Sequence, residues 1–376
     1  MKKNLLYLFT VLCMLSFFTA CSDDEDVNVL EGVNTSFKGE TLDLKYSGSP
    51  FLGKEVVFDT KDGQTATITM RGTLDMSALG GLLGGGSKSD LPTISYAPGV
   101  ISGEVTTTLN NVVLTQVGET YMFEGTNEAN GRTVKYTGEV KKDKMTLSLD
   151  VTMPTNPLQE GGLWEMAGST FNWVSTTGIT IPGLIDEPWP MKDASFLINM
   201  FFISPELKKV LSDVTFKADG NIVATYKNKA GVDVESPINL ANYYIKNDKL
   251  YVTLNIDMII QAATKAGNSE VLLGLMTELM QTPLMSALSE GFPLNYTIEN
   301  GTVNISIDQD FLLPILKVLM NNEFLMGMLK DAMAGMGTSG GMAAILTPAI
   351  VDSIIEQIAP IVNGTSELSF GLELKK

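Results

Sequence analysis

The chain has 376 residues, 44% of them apolar, with two cysteines, no histidine and a formal net charge of −17. The acidic excess excludes nucleic acid as a partner, because displacing counterions from a phosphate backbone needs clustered Lys and Arg, and Arg71 and Arg132 are the only arginines. Without a His or Cys cluster, zinc, copper and haem have no ligand set, so no metal and no cofactor is expected.

Lys2 and Lys3 open the chain, Leu5 to Phe18 is apolar apart from Thr10 and Ser16, and Thr19 and Ala20 precede Cys21. This is the pattern of a secretory signal over residues 1–20, and its apolar run is too short to cross a bilayer core of roughly 30 Å. Phe18-Thr19-Ala20-Cys21 resembles a bacterial lipobox, departing from it at Phe18, where leucine is usual. The resemblance implies acylation of Cys21, and two or more acyl chains give stable anchoring. In the alternative, an ordinary signal cut near Ala20, Cys21 is left as a lone thiol in an oxidising compartment, since Cys13 departs with the signal. Loss of residues 1–20 removes two lysines and carries the net charge to −19.

Asp23, Asp24, Glu25 and Asp26 repel one another and stay extended, and residues 27 to 38 show no periodicity, so 21–38 reads as a lipidated cysteine and tether. The acidic run resembles the export signal of Bacteroidetes surface lipoproteins, which implies display on the outer membrane facing outward; a hydrophilic periplasmic spacer is the alternative.

From residue 39 the period is two. Leu42, Leu44 and Tyr46 alternate with polar residues, and Lys61-Asp62-Gly63 joins two strand-like runs as a hairpin. Between Gly72 and Gly99 the chain is apolar and glycine-rich, a loop over one end of a β-structure or an apolar lid. Strand signals resume at Glu104, punctuated at Gly118-Glu119, Asn127 to Gly131 and Lys142-Asp143, and run to Met153. Strands at this spacing predict an antiparallel barrel or sandwich over 39–155, closed off by Pro154, Pro157 and Gly161-Gly162.

The remainder, 163–376, reads as a second antiparallel β domain with helical insertions, an α+β arrangement. Residues 163 to 203 are rich in aromatics and turn formers, and a short helix follows Pro205. Ala218 to Asn221, Asn247-Asp248 and Asn300-Gly301 are hairpin turns. Tyr136 to Met153 is echoed by Tyr244 to Met258 and, more briefly, by Leu294 to Asp308. Spacings of three and four mark helices over 257–288, 311–334 and 347–361, and Leu368 to Leu374 alternates as a last strand.

Motifs that spell chemistry fail on context. Gly337-Thr338-Ser339-Gly340-Gly341 fits a nucleophile elbow, but the serine has no histidine base and follows a helix. Gly335 to Gly340 spells a dinucleotide fingerprint without the strand that must feed it. Nothing raises any carboxylate pair above the others, so a carboxylate-dependent glycoside hydrolase is the weakest rival. Methionines in the helical part fill a core or line a deformable apolar pocket. Trp164, Trp173 and Trp189 form an aromatic platform for sugars or pack at a domain junction.

Tyr46, Pro98-Gly99-Val100, Phe123-Glu124-Gly125, Val134 to Gly138 and Lys144 to Met153 together resemble the lipocalin-like, calycin-type domains of Bacteroidetes surface lipoproteins of unknown function. The resemblance covers about 110 residues, implies a β-barrel and carries no catalytic residues across. The expected protein is therefore a non-enzymatic surface lipoprotein that binds an apolar or lipid-like ligand in a barrel or beneath the helices, with glycan binding as the alternative.

Overall fold

A computed structural model describes residues 32–73, 97–228, 230–265, 285–321, 323–337 and 346–376. The signal segment, Cys21, the acidic run, the glycine-rich stretch 74–96 and residues 338–341 lie outside the described residues. Strands hold 50% of the described residues and helices 27%, so the chain is mainly β, as the alternation predicts.

The first region contains β1 (Thr35–Lys38), β2 (Leu42–Tyr46), β3 (Ser49–Pro50), β4 (Lys54–Thr60), β5 (Thr65–Gly72), β6 (Thr106–Val113), β7 (Thr115–Val117), β8 (Thr120–Ala129), β9 (Arg132–Lys141) and β10 (Lys144–Thr152). They form a four-stranded sheet, β1-β4-β5-β6, and a six-stranded sheet, β3-β2-β10-β9-β8-β7. Two runs of chain turn the corners between the sheets: β1 passes through a 3-10 turn at Gly39–Thr41 into β2, and β6 passes through Leu114 into β7. Such bends join sheets that pack at a steep angle. One core fills the space between them, with Phe37, Phe58, Ile68, Leu109 and Leu147 almost fully buried. Over 39–155, where an antiparallel barrel or sandwich was expected, two sheets are linked by bent strands, and β2 departs from the antiparallel pattern by pairing with β10 in parallel.

The first strand also starts earlier than the sequence suggests. Thr35–Lys38 lies within the stretch read as tether, yet Val33 and Phe37 are buried in the first core. Two apolar residues followed by Lys38 and Gly39 are too short an alternation to announce a strand.

In the second region an uninterrupted ring of antiparallel ladders closes. Its strands are β11 (Leu163–Ser175), β14 (Leu211–Phe216), β15 (Asn221–Lys227), β17 (Ala241–Lys246), β18 (Lys249–Leu254), β19 (Phe292–Glu299), β20 (Thr302–Asp308) and β21 (Thr365–Lys375). Their order is β14-β11-β21-β20-β19-β18-β17-β15, and β15 pairs back onto β14. The short β12 (Ile179–Ile181) and β13 (Ile185–Trp189) form a separate ribbon, and β16 (Asp233–Glu235) extends β15. The closed eight-stranded antiparallel barrel is therefore in the second half of the chain, where the sequence suggested an antiparallel β domain with helical insertions and did not suggest closure.

Helix α1 (Pro157–Gly161), capped by the Asn156 side chain, plugs one end of this barrel. Leu158 and Trp164 are buried there, and the Trp164 Nε1–H donates to the Leu158 carbonyl at 2.9 Å. Helix α2 (Met191–Ile198), a π turn (Asn199–Ile203) and α3 (Ser204–Val210) form one segment, so the short helix expected after Pro205 begins well before it. Helices α4 (Ile256–Lys265), α5 (Met285–Glu290), α6 (Gln309–Asn321), α7 (Glu323–Gly337) and α8 (Pro348–Asn363) gather at the other end. Among the described residues no helix is long and apolar enough to cross a membrane.

The two halves are bonded to each other. Asn239, at φ +68°, sends its Nδ2 to the carbonyls of Tyr46, Ser49 and Pro50 at 3.0, 3.1 and 3.1 Å. The Tyr46 hydroxyl donates to the Asp219 carbonyl, Asn255 Nδ2 to that of Leu52, and the Met153 amide to that of Ala218. Asn239→Ala leaves three inward carbonyls without this donor and is expected to cost about 3 kcal/mol. Asn239→Gly keeps the left-handed backbone free of strain, so the difference between the variants in urea unfolding isolates the conformational part. A loss under about 1 kcal/mol for the alanine variant would show that the junction stands without this side chain.

Candidate functional site

Two places stand out, one for half-buried apolar side chains aimed inward and one for a cleft. The first is the helix-covered end of the barrel. Because side chains alternate and paired residues share a face, the core positions Val303, Ile305 and Leu374 fix which neighbours point inward. Ile305 pairs with Leu372, Ile307 with Phe370, and Phe370 with Phe171. Phe171, Ile307, Phe370 and Leu372 are all only half-buried despite this inward aim.

The adjoining helical segment is held to β11 by polar contacts. Asn199 Nδ2 donates to the Ser169 carbonyl at 2.6 Å and the Ser169 hydroxyl donates to Asn199 Oδ1 at 2.7 Å. This fixes the π turn, a rare geometry enriched at functional sites. Around it Phe196, Met200 and Phe201 are 63%, 43% and 42% exposed. Large apolar side chains that stay in contact with solvent are candidates for covering by a ligand.

The second place is a cleft of about 640 Å³ where the halves meet. Arg132 is almost fully buried beside it and is held by a bidentate pair: Nε donates to Glu104 Oε1 at 2.9 Å and Nη2 to Oε2 at 3.0 Å. Nη1 donates to Asn127 Oδ1 at 2.6 Å, and the Thr107 hydroxyl donates to Glu104 at 2.6 Å. Burial pushes the Glu104 carboxyl upward, but the bonds from Arg132 and Thr107 and the guanidinium charge outweigh it and hold its pKa below the ordinary value.

Beside this cleft lies a buried lysine. Lys54 donates through Nζ to the carbonyls of Pro98 and Gly99 at 2.7 and 3.0 Å and sits 4.3 Å from the Phe51 ring centroid. Burial pushes its pKa down to about 7, against the pull of Asp257. Its neighbouring void, about 10 Å³ and lined by Asn242, Thr253 and Asn255 among others, has room for about one water.

The residues singled out from sequence are scattered. Trp164 is 1% exposed inside the barrel plug. Trp173 and Trp189 are half-buried around Ile179, Met191, Ala194 and Ile361, and the Trp173 Nε1–H donates to the Thr365 hydroxyl at 2.8 Å. The three do not form one platform; Trp173 and Trp189 come together and Trp164 does not join them. Cys21 lies outside the described residues. Among the described residues there is no cluster of metal-ligating side chains. Glu104, Arg132, Lys54 and Asn239 were not apparent from sequence; the scarcity of arginine was the one signal that marked Arg132. Comparison with known protein families, curated proteins and solved structures finds no match.

The buried lysine sets a pH dependence. Its folded pKa lies below the unfolded value of 10.5, so above pH 7 the unfolded chain binds more protons and stability rises with pH. The rise ends near pH 10, where burial keeps the Tyr46 and Tyr244 phenols protonated only in the folded state. Chemical denaturation at pH 7 and pH 9 is expected to show the wild type gaining about 1–2 kcal/mol and Lys54→Met gaining far less. Equal gains in both would remove Lys54 as the source.

Proposed function

We propose that this chain is a non-enzymatic lipoprotein of the outer-membrane surface, anchored through acylated Cys21, that binds an apolar or lipid-like ligand at the helix-covered end of its C-terminal barrel. One observation carries the ligand class: Phe171, Ile307, Phe370 and Leu372 point into a closed barrel and remain half-buried. At roughly 25 cal/mol per Å² of apolar surface removed from water, covering such a wall favours a hydrocarbon-bearing ligand. The lipocalin-like character of residues 39–155 belongs to the same proposal and rests on the sequence resemblance.

Titration of the full chain with palmitate, followed by tryptophan emission because Trp173 lies next to Phe171 at 5.9 Å between centroids, is expected to saturate. Phe370→Glu places a charge in the wall and is expected to weaken binding at least about tenfold, or 1.4 kcal/mol. A folded wild type that binds neither fatty acids nor sterols would overturn the assignment. The anchor is tested separately: Cys21→Ala is expected to abolish incorporation of labelled palmitate and to release the protein from membranes, and retained labelling would refute it.

A further inference from the structure

The cleft between the halves is chemically unlike the barrel end, and the reading above does not use it. At about 640 Å³ it falls within the size range of small-ligand sites. The first half supplies the loop at Ser102 to Glu104 and the turn at Asn130; the second supplies Lys246 and Tyr296; the linker from Met153 to Pro157 closes the base.

Three ligand classes fit poorly. An anion would meet an Arg132 guanidinium already committed to Glu104 on a chain of net charge −17, with Lys246 the one other cation in the lining. A metal ion would have to pull Glu104 away from Arg132 and Thr107. A purely apolar ligand would strip water from Asn130, Glu104 and Lys246 without replacing its hydrogen bonds, a cost of a few kcal/mol.

What remains is a neutral ligand that both donates and accepts hydrogen bonds and still offers C–H faces. The cleft matches each requirement. Tyr296 is half-buried: it pairs with the core position Ile305 and packs against the barrel core while also lining the cleft, and its hydroxyl makes no hydrogen bond among the described residues. Met153 and Pro154 add apolar surface beside it, and the exposed Asn130 amide reaches Glu104 only at 3.4 Å. Tyr244, by contrast, is a wall: it stacks on Tyr251 at 4.9 Å, and a Cβ on Gly103 would stand 3.0 Å from its ring. We infer that the cleft binds a neutral polyhydroxylated ligand of the saccharide class, with the Tyr296 hydroxyl and the exposed part of its ring as one contact and Asn130 as its hydrogen-bonding arm. The proposal does not rest on the apolar site.

The test is calorimetry of the full chain against maltohexaose, xylohexaose and mannohexaose, with polygalacturonate as the anionic comparison and palmitate as the probe of the barrel end. At least one neutral oligosaccharide is expected to bind with a Kd of about 1 mM or tighter, and Tyr296→Ala and Asn130→Gly to weaken it about tenfold or more. Asn130 has φ +53°, so glycine there removes the amide while keeping the turn; if Tyr296→Ala lowers the melting midpoint, Asn130→Gly and Tyr296→Phe decide. Palmitate binding is expected to be unchanged in Asn130→Gly. The inference fails if folded wild type binds none of the neutral oligosaccharides, if polygalacturonate binds more tightly than they do, or if the variants bind as the wild type does.

Discussion

The architecture depends on one amide. Asn239 Nδ2 faces three carbonyls of the β2–β3 turn, while its own backbone N–H donates to Asn221 Oδ1 at 2.7 Å and Asn242 Nδ2 reaches the same oxygen at 3.2 Å. The orientation of the amide follows from this environment. Turned over, its oxygen would face three other oxygens with no proton between them; as it stands, Oδ1 is left without a partner, the smaller loss. The left-handed backbone at Asn239 suits an asparagine, which visits that region more readily than other side chains do. Both halves are thereby held in one register, and the cleft between them has fixed walls.

Burying charge at this seam costs stability, and the way each charge is matched explains which parts are rigid. Arg132 and Glu104 satisfy each other in a planar fork, with Asn127 and Thr107 completing the set. A buried pair of this kind is weak support for stability but ties together the segments that carry it: here the loop ending at Glu104 and the turn beginning β9. Lys54 rests on two carbonyls and a ring, with the Asp257 charge acting on it. Burial outweighs that charge, so its proton is held loosely, while Glu104, bonded to Arg132 and Thr107, keeps its charge.

The hairpins were legible in the sequence because turn chemistry is local. Asn130-Gly131, Asn247-Asp248 and Asn300-Gly301 all adopt positive φ, as two-residue hairpin loops demand, and Met145, Leu147, Leu149 and Val151 are buried in alternation as read. Ring closure was not legible, because it joins β11 to β21 across nearly the whole second half, and no local pattern records which distant strand a strand will meet. The tryptophans show the same limit. Trp164 and Trp173 lie on one strand, yet the first faces the plug and the second the helices. The cleft gathers five short segments, none with a motif of its own, so only the fold assembles it.

The lining of the barrel decides how two sites can share it. Trp164, Leu250, Val303 and Leu374 are at most 1% exposed and belong to the core that Leu158 joins. The apolar wall is continuous with the cleft side: Tyr296 pairs with Ile305, and Ile305 pairs with Leu372 of the wall, so the three hold neighbouring positions on the inner face. Covering the wall is therefore felt at Tyr296, and non-additivity is the expectation for residues so close. A second route runs through the seam, by way of β17, which carries Tyr243 on its inner face and Asn242 and Tyr244 on the face turned to the first half. The barrel lining and the junction are thus two paths by which a ligand at one site can bias the other.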